Sequence, residues 1–456
     1  SMNLRQNFSW TLMGNVVYAA CQWGMLIVIA KLGSPEMVGQ FTLGLAITAP
    51  ILMLTNLHLR TVQVTDAKRQ FLFGDYLALR IIGTTLGMLA IVIIVATAGY
   101  RQDTSLSILW IAIAKAFESI SDVCYGLIQQ NDRMDCIARS MIVKGIISFI
   151  LMAVGVYISG GVLWGTIGLA VAWGSVLLFI DLPNVSNFLI KYSPVQLEQP
   201  SEPQQHIGTQ YHWISTKSYR LPKLPPSFEL GTNLINFTIT IPRSHWDLKT
   251  LVRLAWLSLP LGLVMMLLSL NLNIPRYFIQ SYLGEKTLGI FGALSYLMII
   301  GNIVVNSLSE SASSRLAKYY AAADRRKFAA LLIQLMTIGS AVGIGGILLA
   351  WIGGKQIITL LYRAEYAQHQ ELFLWLMVAA GIGYASSSLG YALTAARYFR
   401  VQMPLFIVVT ATSALGCLWL IPSMGMKGAA LSLVMAATIQ FILNLGLVTY
   451  ALVKIK

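Results

Sequence analysis

The sequence predicts an all-α polytopic membrane protein: twelve transmembrane helices in two six-helix lobes related by a parallel pseudo-two-fold repeat. Three observations carry that expectation. The 456 residues are 56% hydrophobic and only 11% charged, with mean hydropathy +0.69; a soluble chain carries roughly twice that charged fraction. Twelve apolar runs are long enough to cross a bilayer as helices, near 10–31, 39–58, 77–100, 105–130, 140–159, 162–182, 252–275, 288–310, 328–352, 371–396, 403–421 and 427–452. A polar stretch divides them six and six. The expected organisation is an N-terminal lobe over 1–191, an inter-lobe insertion over 192–248 and a C-terminal lobe over 249–456.

In chain order, Ser1 before Met2 reads as an added residue. No cleavable signal peptide is expected, because the first apolar run is long and lacks a small-residue cleavage site. Thr11, Asn15, Tyr18 and Gln22 share one face of that first helix. The second helix closes at His58 and Arg60 in TNLHLRTVQVTDAKRQ, a cluster expected to organise a cytoplasmic gate or meet lipid phosphates. The fourth is the most informative. Within LSILWIAIAKAFESISDVCYGLIQQ, Lys115, Glu118, Asp122, Tyr125 and Gln129 fall in an arc of about 80°. Charges at membrane depth cost several kcal/mol unless they face protein or a watery cavity, so this stripe implies a pathway. Glu118 and Asp122 are the only acids the sequence places well inside the membrane, and they are the expected ion-coupling residues. Lys115, three and seven residues from them, either binds an anion or simply neutralises them.

The insertion opens as SPVQLEQPSEPQQ, a disordered-connector composition, and ends in NLINFTITIPRSHW, which could pair as a strand. The seventh helix carries Asn271, Asn273 and Arg276. An Arg fork suits phosphate oxygens, and the alternative for Arg276 is snorkelling to headgroups. On the eighth, Ser295, Asn302, Asn306, Ser309 and Ser313 share a face, and Glu310 and Arg315 occupy the place comparable to His58 and Arg60. GSAVGIGG at 339–346 in the ninth reads as close helix packing, and the tenth aligns Tyr384, Ser388 and Tyr391. Helix–helix hydrogen bonding explains any one of these polar residues. A shared cavity between the halves explains all of them together.

The halves resemble each other: LGSPEMVGQFTLGL at 32–45 and LGEKTLGIFGAL at 283–294 both put Gly-x-Phe soon after a Leu-Gly turn, and Gln22 then falls opposite Asn273. The basic residues, Arg80 and Lys144 at helix edges among them, collect on one side if the N-terminus is cytoplasmic, so the net charge of +14 reports topology and both termini are expected inside. Their dispersal argues against a nucleic-acid partner. Of the four cysteines, Cys21, Cys124 and Cys417 fall in predicted helices and Cys136 in a loop, with no metal-ligand spacing. There is no phosphate-loop motif, no HExxH and no nucleophile with a base, so the chain is not expected to be an enzyme. Transport is the class that fits.

At IAIAKAFESISDVCYGLIQQNDRMDCIARS (111–140), NLHLRTVQVTDAKRQFLFGDYLALRI (56–81), SLNLNIPRYFIQSYLGEKTLGIFGALSYL (269–297) and SRLAKYYAAADRRKF (314–328), the chain resembles bacterial lipid-linked oligosaccharide flippases. These form the polysaccharide-biosynthesis branch of the multidrug/oligosaccharidyl-lipid/polysaccharide exporter superfamily. The resemblance covers nearly everything except 192–248. It implies alternating access in the bacterial cytoplasmic membrane, moving an undecaprenyl-diphosphate-linked oligosaccharide outward for O-antigen, capsule or exopolysaccharide. In that setting Lys115 and Arg276 would hold diphosphate, and Gln22, Tyr125, Gln129, Asn273, Asn302, Asn306, Tyr384 and Tyr391 would line the sugar cavity. No cofactor is expected beyond a coupling proton or sodium ion. Partners are the lipid-linked sugar, the bilayer, and a polymerase or glycosyltransferases. The alternatives are a cation-coupled multidrug exporter of the same fold and a non-transporting scaffold for glycosyltransferases.

Overall fold

The computed structural model describes residues 4–66, 70–131, 133–191 and 247–454, and it is helical throughout those residues. The helices are α1 (Leu4–Leu32), α2 (Pro35–Asn56), α3 (Leu59–Thr65), α4 (Phe73–Ala98), α5 (Gln102–Gln130), α6 (Met134–Ser159), α7 (Val162–Val176), α8 (Leu182–Lys191), α9 (Leu248–Ala321), α10 (Arg325–Leu361), α11 (Ala364–Ala367), α12 (Gln370–Ala395), α13 (Gln402–Met424) and α14 (Met426–Lys454). A single π turn, Leu177–Asp181, joins α7 to α8. Helices are the form such apolar segments must take in lipid, where each backbone polar group needs an internal partner. Most of the expected strand-like segment and of the 192–248 insertion lies outside the described residues.

Among the described residues, ten helices are long and apolar enough to cross a membrane. The protein is thus a multi-pass membrane protein. α5, 29 residues long, falls outside that ten because its stripe of charges lowers its hydropathy. α9 is counted once, although Gly284 breaks it with φ 88° and ψ 178°, leaving segments 248–283 and 285–321. That φ is in the region only glycine adopts freely, so the Leu-Gly turn of the sequence is a true corner. At the matching corner in the first half, Ser34 caps α2 by accepting the Met37 N–H at 3.4 Å, with Pro35 at the first helical position. Cys136 is half-buried in the first turn of α6, not in a loop as the sequence suggested. The helix starts earlier than its apolar run because Asp135 is held by Arg133 at 2.8 Å.

α1 packs on α6, and α5 on α7, α2 and α4; in the second half α12 packs on α9, α10 and α14. The halves meet where the two repeated hairpins touch. A Cβ on Gly39 would collide with the backbone of Glu285, and one on Gly289 with the backbone of Pro35. Aligned on their Gly-x-Phe motifs, Gly39 matches Gly289 and Pro35 matches Glu285. Each residue therefore touches its counterpart's partner, the reciprocal pattern a two-fold axis produces. Thr42 meets its own match, Gly292, on that axis. Small residues let the backbones approach this closely.

The same end is clasped by polar contacts. Gln40 donates to Thr104 at 3.0 Å and Thr104 to Glu285 at 2.6 Å; Trp23 donates to Tyr362, which donates to the Ala293 carbonyl at 2.8 Å. Toward the other end of α2 and the second segment of α9, Met53 and its match Ile303 are 40% and 45% exposed. The halves are joined by close backbone contact at the hairpin end.

Candidate functional site

The stripe on α5 looks into a cavity of about 380 Å³, walled by Tyr18 of α1, Asn56 of α2, Lys144 of α6, Met265 of α9, and His58 and Arg60 at the α2–α3 corner. Lys115, Glu118, Asp122 and Tyr125 all line it, as the helical arc predicts. Leu57 and His58 both adopt the left-handed conformation (φ 52° and 50°), and this strained corner turns α3 so that Arg60 points inward.

The charges pair in an ordered way. Lys115 Nζ lies 2.8 Å from Glu118 and 5.1 Å from the Trp173 ring centroid, while Tyr18 donates to the other Glu118 oxygen at 2.6 Å. Asp122 bridges Arg80 at 3.1 Å and Arg60 at 3.5 Å, and Arg60 also donates to Gln129 at 2.9 and 3.0 Å. Arg80, wholly buried in α4, donates to the Ser119 carbonyl at 3.0 Å. Both acids thus have cationic partners. Lys144 does not: it is 2% exposed, and its nitrogen sits 5.1 Å from the Tyr125 ring centroid with no carboxylate in ion-pair range among the described residues. A buried ammonium on a cavity wall, with an aromatic face beside it and no ion-pair partner, has the chemistry to meet an anion.

The structure divides the remaining expected residues. Gln22 is half-buried on α1 with its amide nitrogen unpartnered. Arg276 donates to the Asn273 side chain at 3.2 Å and keeps a buried, unpartnered Nε, but neither residue lines the α5 cavity. In the second half Asn306 accepts from Ser387 at 2.6 Å, and Tyr384, 1% exposed, donates to the Met298 carbonyl at 2.5 Å. Those two are helix–helix contacts in this state. Asn302 and Tyr391 are half-buried, Arg315 is exposed, and the Glu310 side chain lies outside the described residues.

Sequence reading missed Arg80 and Lys144, which it took for residues at a cytoplasmic helix edge, and it placed no third acid deep in the membrane. The structure buries Asp181 completely at the π turn, within the span Val162–Leu189. Ser140, Lys144 and Ser148 at four-residue spacing were the available signal, since they form a polar line on an otherwise apolar helix.

No model of a protein family matches the chain. A curated relative, the capsular polysaccharide biosynthesis protein CapF of Staphylococcus aureus, is 25% identical over 437 residues, covering 96% of this chain and 97% of the relative. Among solved structures, the inward-facing conformation of a multidrug resistance MATE family transporter of the MOP superfamily superposes with TM-score 0.67 at 10% identity, covering 98% of both chains. The chain has a MATE-type transporter fold. The lipid II flippase MurJ in an inward closed conformation shares it, with TM-score 0.64, 14% identity and coverage of 98% of this chain and 89% of that one. Apart from Met265, every residue that lines the α5 cavity comes from the first half of the chain, and so do its charges.

Proposed function

We propose that the protein is a flippase that carries an undecaprenyl-diphosphate-linked oligosaccharide from the cytoplasmic to the outer leaflet by alternating access, for surface polysaccharide assembly. The observation that carries this reading is Lys144, a buried ammonium with no ion-pair partner among the described residues, on the wall of a membrane-embedded cavity. A diphosphate cannot cross bare lipid, and a cationic, hydrated cavity lowers that barrier. The likeness to a capsular polysaccharide biosynthesis protein and to a lipid II flippase supports the substrate class. In this reading 1–191 and 249–456 rock as two lobes in the bacterial cytoplasmic membrane, with both termini inside and 192–248 as the cytoplasmic connection. The polyprenyl tail stays in lipid, and the protein performs no covalent chemistry.

Lys115 assists Lys144, and Arg276 would meet the diphosphate later on the path. A proton or sodium ion would couple the cycle, with glycosyltransferases or a polymerase as partners on either side. The multidrug alternative needs an acid free to meet a cationic drug, whereas Glu118 and Asp122 are each engaged by Lys or Arg. The test is flipping of a fluorescent polyprenyl-diphosphate sugar in proteoliposomes, read by a membrane-impermeant quencher. Lys144→Ala and Lys115→Ala should each slow flipping at least about tenfold, the loss of one charge-assisted contact, while Lys115→Arg retains part of it. No flipping by the wild type would favour a scaffold.

A further inference from the structure

Behind the cavity wall lies a chain of hydroxyls ending on a carboxyl group. Asp181 closes the π turn between α7 and α8 and has no exposed surface. Ser121 of α5 donates to its Oδ2 at 2.6 Å and Ser140 of α6 to its Oδ1 at 2.5 Å. The Ser140 Oγ in turn lies 2.7 Å from the Tyr125 hydroxyl, and Tyr125 lines the cavity. The groups around Asp181 are Lys144 of α6, and Cys124 and Tyr125 of α5. No Lys, Arg or His nitrogen among the described residues reaches ion-pair distance of the carboxyl. A lone carboxylate this deep is costly to keep ionised. π turns of this kind recur at functional sites.

We propose that Asp181 is a proton site wired to the cavity through Ser140 and Tyr125, and that an anion bound beside Lys144 draws a proton onto it. This rests on the reading that the cavity takes a diphosphate. With Asp181 ionised, every hydrogen in the chain points at it: Tyr125 O–H to Ser140, Ser140 O–H to Asp181. Adding one proton from cavity water to Asp181 Oδ1 reverses the chain. The new O–H donates to Ser140, Ser140 donates to the Tyr125 oxygen, and the Tyr125 O–H turns toward the cavity. There it can donate to a phosphate oxygen, while Lys144, no longer shared with a nearby carboxylate, meets the anion at full charge. No covalent bond between heavy atoms changes; one proton is taken up with the anion and returned when the anion leaves. Glu118 and Asp122 are already committed to cations, so Asp181 is the acid left to change its protonation.

The test is infrared difference spectroscopy of the full chain in lipid nanodiscs on addition of inorganic diphosphate, with calorimetry on the same samples to score binding. Wild type should gain the carbonyl stretch of a protonated carboxylic acid, Asp181→Asn should lose that gain, and Asp122→Asn should keep it. Ser140→Ala, which preserves packing, should bind diphosphate with the gain abolished, and Tyr125→Phe should bind it more weakly, also without the gain; they decide the matter if Asp181→Asn fails to fold. Binding with no carboxyl signal in wild type, or a full signal in Tyr125→Phe, overturns the proposal and leaves the flippase reading standing. Absence of diphosphate binding overturns both.

Discussion

Lys115 holds Glu118 at 2.8 Å, whereas Lys144 has no ion-pair partner among the described residues and lies 5.1 Å from the face of Tyr125. Truncating Lys115 would break an ion pair and leave Glu118 deprived of its nearest cation, and truncating Lys144 would break none. Lys144→Met should therefore melt close to wild type in detergent, and Lys115→Met should melt lower; equal loss in both would place Lys144 in a structural network. Outside the membrane, Asp66 offers a pH test. Burial pushes its carboxyl up, but the Gln70 and Phe71 N–H groups at 3.0 and 3.1 Å and the Tyr76 hydroxyl at 3.2 Å outweigh that and hold it below the usual carboxylate range. A lowered native value stabilises the fold above the ordinary aspartate value and loses that contribution as pH falls through the native one. The melting temperature of the wild type should thus drop below about pH 4, more steeply than that of Asp66→Ala.

At the scale of elements, α2 and the second segment of α9 are the pair at which the halves meet. Their contact has no room for side chains at Gly39 or Gly289, and overpacking a well-filled contact costs about 1–3 kcal/mol. Gly289→Val should lower the melting temperature or splay the hairpin end. A stronger test uses the axis itself. A Cβ built on Gly292 lies 3.1 Å from the Thr42 Cβ, slightly inside the separation of about 3.8 Å that a disulfide prefers. With the native cysteines replaced, T42C/G292C should crosslink under oxidation and stop flipping, and reductant should restore it. Full flipping by the crosslinked protein would mean that this end never opens.

For the whole molecule, one end is sealed by backbone contact and the other exposes Met53 and Ile303. In the cysteine-free background, Met53→Cys should react with a membrane-impermeant thiol reagent applied from the side opposite the hairpin end, and Val92→Cys, on the outer face of α4, should not. Substrate should change the Met53→Cys rate if the proposed alternating access holds and substrate prefers one state. Identical rates at both positions would show that Met53 faces lipid and that no path opens beside it.

The membrane class, the helices, the α5 stripe and the hairpin repeat were all legible in the chain, because lipid imposes helices on apolar runs and helical period puts every third or fourth residue on one face. The register in which Gly39 meets the second hairpin at Gly289 came from the structure: alignment on the Leu-Gly turns alone is one residue out. Partners were not legible. Whether Lys115 serves an anion or Glu118, whether Asn306 lines a cavity or bonds Ser387, and whether Arg80 sits at an edge or deep in a wall depend on which helix packs opposite. The partners sit on other helices, Ser387 of α12 for Asn306 and Asp122 of α5 for Arg80, and nothing in a single helix's pattern encodes them. Asp181 was hidden for the same reason: at the end of an apolar run it reads as a boundary, and only its contacts with Ser121 and Ser140 of two other helices make it an interior acid.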